Sequence, residues 1–453
     1  MSISSHGSHA TSRSLWKIKL ICQGKPILKK TLSNLLLCLT IIVLAACTPA
    51  PSLPAAKPEL SIIWYASPPC EGMARLAATY PEATVTVNCV PLSSWHSETF
   101  NGYASKGGAD LVIGDSQWIG EEVKGGHLVE LTDFLKQNTD MSDFIPAALA
   151  AYGEYPPASG HYWGAPIQAN VQLLVYNQAI FQEYGVSDLK TWDELLTAAQ
   201  KIKAGGKYSG FAWFWDEHND TLQSGWNQLA WGWGGQLWDA KTYKMAGIIN
   251  SPENAAATDY AVKLFNTGPQ ESAAWGYNEV VDALCSGNAA MTIIWNSYGT
   301  TLVDSSKCKE SAHLTFAAPP VGPRANTLQL GGQGISISQY THNREAALAF
   351  LKWLMRKDTQ VQWAKLHGYP SMKSVLASSD FLNAAPYNAL FAKTFERVQD
   401  YWNLPEYMPL LAIQGKYLHL AITGQMDSKT ALDHIAAEQQ ALIDAAYPTG
   451  VPK

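Results

Sequence analysis

Two stretches of this 453-residue chain set carboxylates and amides beside flat aromatic rings. DSQW (residues 115–118) brings together Asp115, Gln117 and Trp118. WFWDEHND (residues 213–220) brings together Trp213, Trp215 and Asp216. A sugar or polyol offers hydroxyls that need fixed, paired donors and acceptors, and a sugar ring also offers an apolar C–H face that stacks on an aromatic wall. If residues 208–214 form a strand, Trp213 and Trp215 at i, i+2 point to one face, with Asp216 just beyond. That face reads either as a stacking platform or as a buried aromatic pair. Trp64 closes the first strand and is either a core ring or a cleft ring. Trp226 and Trp233 lie seven apart and read as core, whereas Trp231 falls on another face and is a further cleft candidate. The acidic run at 216–220 does not read as a metal site, because consecutive side chains diverge and match no calcium-loop spacing. No cofactor motif is present.

Glycoside hydrolysis also combines tryptophans with acidic residues, but it needs two carboxylates at a defined separation. Asp115 and Asp216 are the available pair. The chain lacks G-x-S-x-G, H-E-x-x-H, a Walker loop and G-x-G-x-x-G. Binding without catalysis is therefore the first reading. A hydrolase, or a binder of another polar metabolite, is the alternative.

The elements around these residues alternate. Strands read at 59–65, 83–90 and 109–114, with helical stretches between them, imply parallel βαβ units and an α/β fold. The same grammar returns at 171–177, 208–214 and 289–295. Thr191-Trp-Asp-Glu194 reads as a capping box that opens a helix. In such sheets, ligand groups sit beyond the carboxyl ends of strands, which is where Asp115 and Asp216 fall.

Residues 1–46 contain six Lys or Arg and no Asp or Glu, and an apolar run at 35–46 is broken only by Thr40. This is the pattern of a secretion signal, and it is too short for a span of about 20 residues. LAAC (residues 44–47) resembles the bacterial lipobox, which implies a palmitate-type acyl group on Cys47 and membrane attachment through it. Residues 47–57 form a Pro-rich tether. Removing the signal leaves 26 basic against 38 acidic residues, a net charge of about −12. Such a surface excludes nucleic acid as a partner. Four further cysteines, Cys70, Cys89, Cys285 and Cys308, enter an oxidising compartment. They allow three pairings, of which the two local ones, 70 with 89 and 285 with 308, are the simplest. Seventeen Trp are more than a core needs. About 400 mature residues imply at least two lobes.

The order of several motifs resembles the bacterial extracellular solute-binding proteins of ABC importers, in the sugar-binding group that includes maltose-binding protein. GADLVIGD (108–115) is similar to the family's GxxPDVVxGD, with Ala109 in place of Pro. YWGAPIQ (162–168) and LLVYN (173–177) resemble its crossover. TWDEL (191–195), LCSGNAAM (284–291), GGQGISI (331–337) and EAALAFLKWL (345–354) resemble its later landmarks. The resemblance implies a two-lobed periplasmic-binding-protein fold of the maltose-binding type, with a ligand cleft at a hinge. It implies a first lobe of residues 58–167 and 317–356 and a second of 168–316 and 357–453. Crossings are then expected near 166–170, 317–320 and 357. It adds Gln168 and Asn170 at the first crossing, and Trp295 and Asn296 at a strand end. It also adds Gly332 and Gln333 at a close backbone approach, and Tyr369. It further implies permease subunits as partners, a monomer, and an extracytoplasmic location at the cell membrane or facing a Gram-negative periplasm.

Overall fold

The computed structural model describes residues 56–187, 189–218 and 220–449. Residues 1–55, on which the expected secretion signal, Cys47 and most of the expected tether fall, lie outside the described residues.

The first elements are β1 (Glu59–Tyr65), α1 (Pro68–Ala77), β2 (Thr84–Val90), α2 (Leu92–Ala104) and β3 (Leu111–Gly114). Then comes β4 (Gly164–Asn177), followed by α3 (Trp192–Ala204), β5 (Ser209–Phe211), α4 (Thr221–Gly232), α5 (Pro252–Phe265), α6 (Tyr277–Cys285) and β6 (Ala289–Trp295). The chain continues through β7 (Leu314–Ala317), β8 (Leu328–Ile337), α7 (Arg344–Leu354) and α8 (Lys357–Lys365). It ends with β9 (Val398–Gln399), α9 (Tyr407–Ile422) and α10 (Ser428–Ala446). The sheet order is β2-β1-β3-β8-β4-β6-β5, with β7 beside β4 and β9 beside β8.

β1 pairs in parallel with β2 and β3, and β5 with β6, as expected from the alternation of strands and helices. The middle of the sheet departs from that pattern. β8 runs antiparallel to both β3 and β4, and β4 runs antiparallel to β6 and β7. The cause is the fourteen-residue β4, which is buried along its whole length. Its first half, to Val171, pairs with β8, and its second half, from Gln172, pairs with β6 and β7. One continuous strand thus passes between the two lobes, with its register shifted between Pro166 and Gln168.

Each lobe has its own core. The first gathers Leu60, Ile62 and Trp64 from β1, Leu111 and Ile113 from β3, and Phe350 and Leu351 from α7. The second gathers Trp213, Trp215, Trp226 and Trp231 with Ile293, Leu410 and Leu418. The tryptophans beyond an ordinary core's needs are therefore themselves core. Eight of the twelve largest fully buried side chains are Trp. Each ring removes about 150–250 Å² from water, a gross gain on the order of 4–6 kcal/mol.

Trp363 of α8 packs 6.0 Å from Trp64, and its indole N–H donates to Ile167 O at 3.1 Å. Met372 and Val375 join the same first core, whereas Tyr401 and Trp402 belong to the second. The chain thus packs on the first core through Val375, on a third cluster with Leu173 and Leu330 from Leu376 to Val398, and on the second core from Tyr401. An α-helical segment carries no sign in the sequence of which core its apolar face will meet.

Local signals act where expected. The Thr191 hydroxyl accepts from Glu194 N at 3.2 Å, and the Glu194 carboxylate accepts from Thr191 N at 3.0 Å, closing the capping box. Cys70 bonds Cys89, tying α1 to β2, and Cys285 bonds Cys308.

Candidate functional site

The ends of the strands converge on one cavity. Tyr65 is the last residue of β1, and Asp115, Ser116 and Gln117 follow β3. Asn170 comes from the middle of β4, and Leu330 to Gln333 come from β8. From the other side come Asp220 at the start of α4, Tyr277 at the start of α6, and Trp295 with Ser297 and Tyr298 after β6. Asp400 and Tyr401 close the cavity just after β9, and Leu92 and Trp95 reach it from α2. The room open to the centre of a water molecule is about 110 Å³. One water needs about 10–15 Å³ on that scale, so the cavity suits a single sugar ring or a short polyol rather than an extended chain.

Backbone geometry positions several of these groups. Gly332 has φ +133, and a Cβ there would lie 2.1 Å from Gln168 O. Only glycine lets β8 press this closely on the register shift of β4. At Gly331 a Cβ would meet the Trp295 ring at 2.7 Å, so the ring packs against bare backbone. Asp220 adopts a left-handed φ of 58, which Asp tolerates better than most residues and which starts α4 at the cavity.

The polar groups form two linked strings. Gln168 donates from Nε2 to Gln333 Oε1 at 3.1 Å, and Gln333 donates from Nε2 to Asp115 Oδ2 at 3.5 Å. Asp115 Oδ1 accepts from Ser116 N at 2.8 Å. Across the cleft, Gln117 Nε2 donates to Asp220 Oδ2 at 3.1 Å and joins the segment after β3 to the start of α4. Among the described residues, Asn170 is 5 % exposed with its Oδ1 unpartnered, and Asp400 Oδ2 is also buried without a partner.

Among the described residues, no Lys, Arg or His lines the cavity. Burial pushes the Asp115 carboxyl up to about 7, and the charge of Asp400 adds to the rise. Burial likewise raises Asp400 to about 6. Asp220 is raised well above the usual carboxylate range, by burial first and then by Asp115. Three carboxylates thus share a poorly solvated space with no cation among the lining residues to offset them.

Residues 71–361 match the family model of bacterial extracellular solute-binding proteins. The chain belongs to that family. The solute-binding protein is 24 % identical over 322 residues to the mannitol-binding protein of Pseudomonas aeruginosa, covering 65 % of this chain and 71 % of that protein. It is 25 % identical over 292 residues to the maltotriose-binding protein of Pyrococcus abyssi, covering 61 % of this chain and 57 % of that one. The chain spans about two-thirds or less of the length of the first curated relatives it matches. A maltose-bound protein of T. maritima superposes with TM-score 0.75 at 23 % identity, over 85 % of this chain and 99 % of that one. A ribitol-bound solute-binding protein of Agrobacterium radiobacter superposes equally well at 25 % identity, over 86 % and 100 %. The two-lobed, maltose-binding-type α/β fold expected from the motifs is the fold of these neighbours.

Of the residues singled out in the sequence, the solute-binding protein brings Asp115, Gln117, Asn170, Trp295, Gly332 and Gln333 to the cavity. The others lie elsewhere. Trp64 is fully buried because it shares parity with Leu60 and Ile62 on β1, and Tyr65 on the other face lines the cavity instead. Trp213, Trp215 and Trp231 are at most 1 % exposed and fill the second core. The strand before them ends at Phe211 rather than 214. Asp216 turns outward and bonds His218 Nδ1 at 2.7 Å, so it does not pair with Asp115 as a hydrolase would need. Among the described residues no three His, Cys, Asp or Glu are arranged to hold a metal ion.

Trp118, Gln168, Asn296 and Tyr369 stand behind the lining. Trp118 packs 4.2 Å from Trp95, and Gln168 orients Gln333. Asn296 Oδ1 accepts from Val171 N at 2.9 Å, next to Asn170. Tyr369 donates from its hydroxyl to Asn296 O at 3.0 Å and is 3 % exposed. Sequence reasoning missed Tyr277, Tyr298, Asp400 and Tyr401 as lining residues. Asp400 and Tyr401 carry no local motif, and only the pairing of β9 with β8 delivers them.

Proposed function

We propose that this protein is the extracytoplasmic binding component of an ABC importer, capturing one small sugar or polyol between its lobes and handing it to permease subunits. The observation that carries this reading is the cavity itself. Both lobes line it, with aromatic walls at Tyr65, Trp95, Trp295 and Tyr298 and hydrogen-bonding groups at Asp115, Asn170, Asp220 and Gln333. Those are the groups a polyhydroxylated solute requires. The likeness to the mannitol- and maltotriose-binding proteins and to the ribitol-bound protein supports the same class.

In this reading Trp295, packed against Gly331, stacks the apolar face of the solute, and the Gln117–Asp220 bond is one of the contacts made only when the lobes are together. A solute shifts the lobes toward closure only by binding the closed form better than the open one. We take the lobe crossings to be β4, the β7–β8 connection and the segment after β9. The residues 1–46 signal and a lipid on Cys47 fit a protein tethered beside its permease.

Tryptophan fluorescence and calorimetric titration against monosaccharides, alditols and short oligosaccharides test the assignment. A monosaccharide or alditol is expected to bind, and Trp295→Ala is expected to weaken it at least tenfold. Binding only of long glycans, turnover of a glycan, or no response across the panel would overturn it. A Cys47→Ala chain recovered in the membrane fraction as fully as the native one would overturn the lipid tether.

A further inference from the structure

We propose that the solute carries a positive charge, as a small polyhydroxylated amine such as an amino sugar or amino alditol. This inference rests on the reading of the cavity as a sugar or polyol site and narrows its substrate class.

The first observation is the charge of the lining. Asp115, Asp220 and Asp400 reach the cavity from three separate segments, and no Lys, Arg or His among the described residues joins them. The other titratable groups near the three are phenols: Tyr65 from β1, Tyr152 from the 146–153 helix, Tyr277, Tyr298, and Tyr401 and Tyr407 from the last crossing. All of these are neutral across the physiological range. Two or three buried carboxylates without a counter-charge are costly unless they stay protonated or meet a cation.

The second, independent observation is the balance of donors and acceptors. Asn170, 5 % exposed, holds an unpartnered Oδ1, and Asp400 holds an unpartnered Oδ2. The amides of Gln117 and Gln333 each give one N–H to Asp220 and Asp115. Two buried acceptors at the cavity thus lack a donor, and an ammonium brings three donors with no acceptor.

The third observation is the wall. Rings from Tyr65, Trp95, Trp295 and Tyr298 line the cavity, and aromatic faces attract cations most when both are desolvated. The carboxylates are spread around the cavity and are not grouped to hold a metal ion. That spacing suits an organic cation with hydroxyls on its other atoms. Such a cation would favour the ionised carboxylates and so release protons on binding, which makes its affinity rise with pH between about 5 and 8, the range in which Asp400 and Asp115 titrate.

Calorimetry of the mature chain with sorbitol against 1-amino-1-deoxysorbitol, and with glucose against glucosamine, decides the matter. The amine of at least one pair is expected to bind tenfold or more tightly at pH 7, and its affinity to fall at least tenfold from pH 8 to pH 5. Asp400→Asn is expected to reduce the preference for the amine to threefold or less. If that variant does not fold, the pH profile of the native chain tests the same charge dependence. If the neutral member binds as tightly as the amine or more so, the charge assignment is overturned and the sugar or polyol reading survives. If hexylamine, which has no hydroxyls, binds as well as the amino alditol, or if neither member of any pair binds, both are overturned.

Discussion

The three cavity carboxylates should weaken the fold of the unliganded protein as pH rises, and Asp115→Asn is the substitution that isolates one of them. Asp115 is raised from 3.8 to about 7 in the folded protein, chiefly by burial. A carboxyl whose folded value lies above its unfolded value holds more protons folded than unfolded between the two. Stability is therefore undiminished below about pH 4, falls as pH rises through the window, and stops falling above about pH 7. Three pH units at about 1.4 kcal/mol each set an upper bound of about 4 kcal/mol. The side chain borders the cavity and is partly hydrated, so about half of that is the working figure. Roughly two-thirds of the window lies between pH 5 and 8. The native chain should thus lose about 1–3 kcal/mol more than Asp115→Asn over that range. The assay is urea unfolding without solute at pH 5, 6, 7 and 8, followed by tryptophan emission. Glu122, buried and accepting from the Tyr103 hydroxyl at 2.8 Å, is also raised to about 7 and titrates in both proteins, so its contribution cancels in the difference. The charge of Asp115 also raises Asp220, so removing it relieves a second group in the same direction. Stability curves that run parallel for the two proteins, within about 0.5 kcal/mol, would refute the reasoning.

Other expectations follow from single contacts. Gly332→Ala puts a Cβ 2.1 Å from Gln168 O and 2.8 Å from the Ala169 Cα at φ +133. Neither backbone atom can yield cheaply, so the urea midpoint should show a loss of about 3 kcal/mol or more, and a loss under about 1 would mean β8 can shift. Reducing either disulfide frees a loop spanning 19 or 23 residues and should cost about 3 kcal/mol, read as a lower melting temperature in dithiothreitol. Gln117→Ala removes the donor to Asp220 across the cleft. It should weaken solute binding by about 2–10-fold, the equivalent of one net hydrogen bond, while unfolding stability changes by less than about 0.5 kcal/mol. Equal affinity in the variant would remove that contact from the closed state.

The architecture was legible because its signals are local or periodic. The alternation of strands and helices, the Thr191–Glu194 capping box and the local cysteine pairs each depend on residues close in sequence, and the motif order carried the lobes. The site was legible only where a strand end coincided with a polar–aromatic cluster, as at Asp115, Gln117 and Trp295. Tryptophan was the misleading signal. Trp64, Trp213, Trp215 and Trp231 sit beside polar residues in the chain, yet all four are at most 1 % exposed. Parity on β1 already distinguishes Trp64, in step with Leu60 and Ile62, from Tyr65. No such rule finds Asp400, which reaches the cavity through the parallel pairing of Leu328 with Val398 and Gln329 with Gln399.

The placement of the carboxylates bears on how the solute is bound. Asp115 follows β3, Asp220 opens α4, and Asp400 follows β9, so three separate segments bring them to one cavity. These three share one poorly solvated space in the unliganded protein, so the electrostatic cost stands until a solute arrives. A solute that satisfies the acceptors of Asp115, Asn170 and Asp400 removes that cost only when both lobes touch it. The buried charge and the Gln117–Asp220 bond therefore act in opposition, and the solute tips the balance. The same groups that recognise the solute thus cost the empty protein stability, which ties the gain on binding to the site itself.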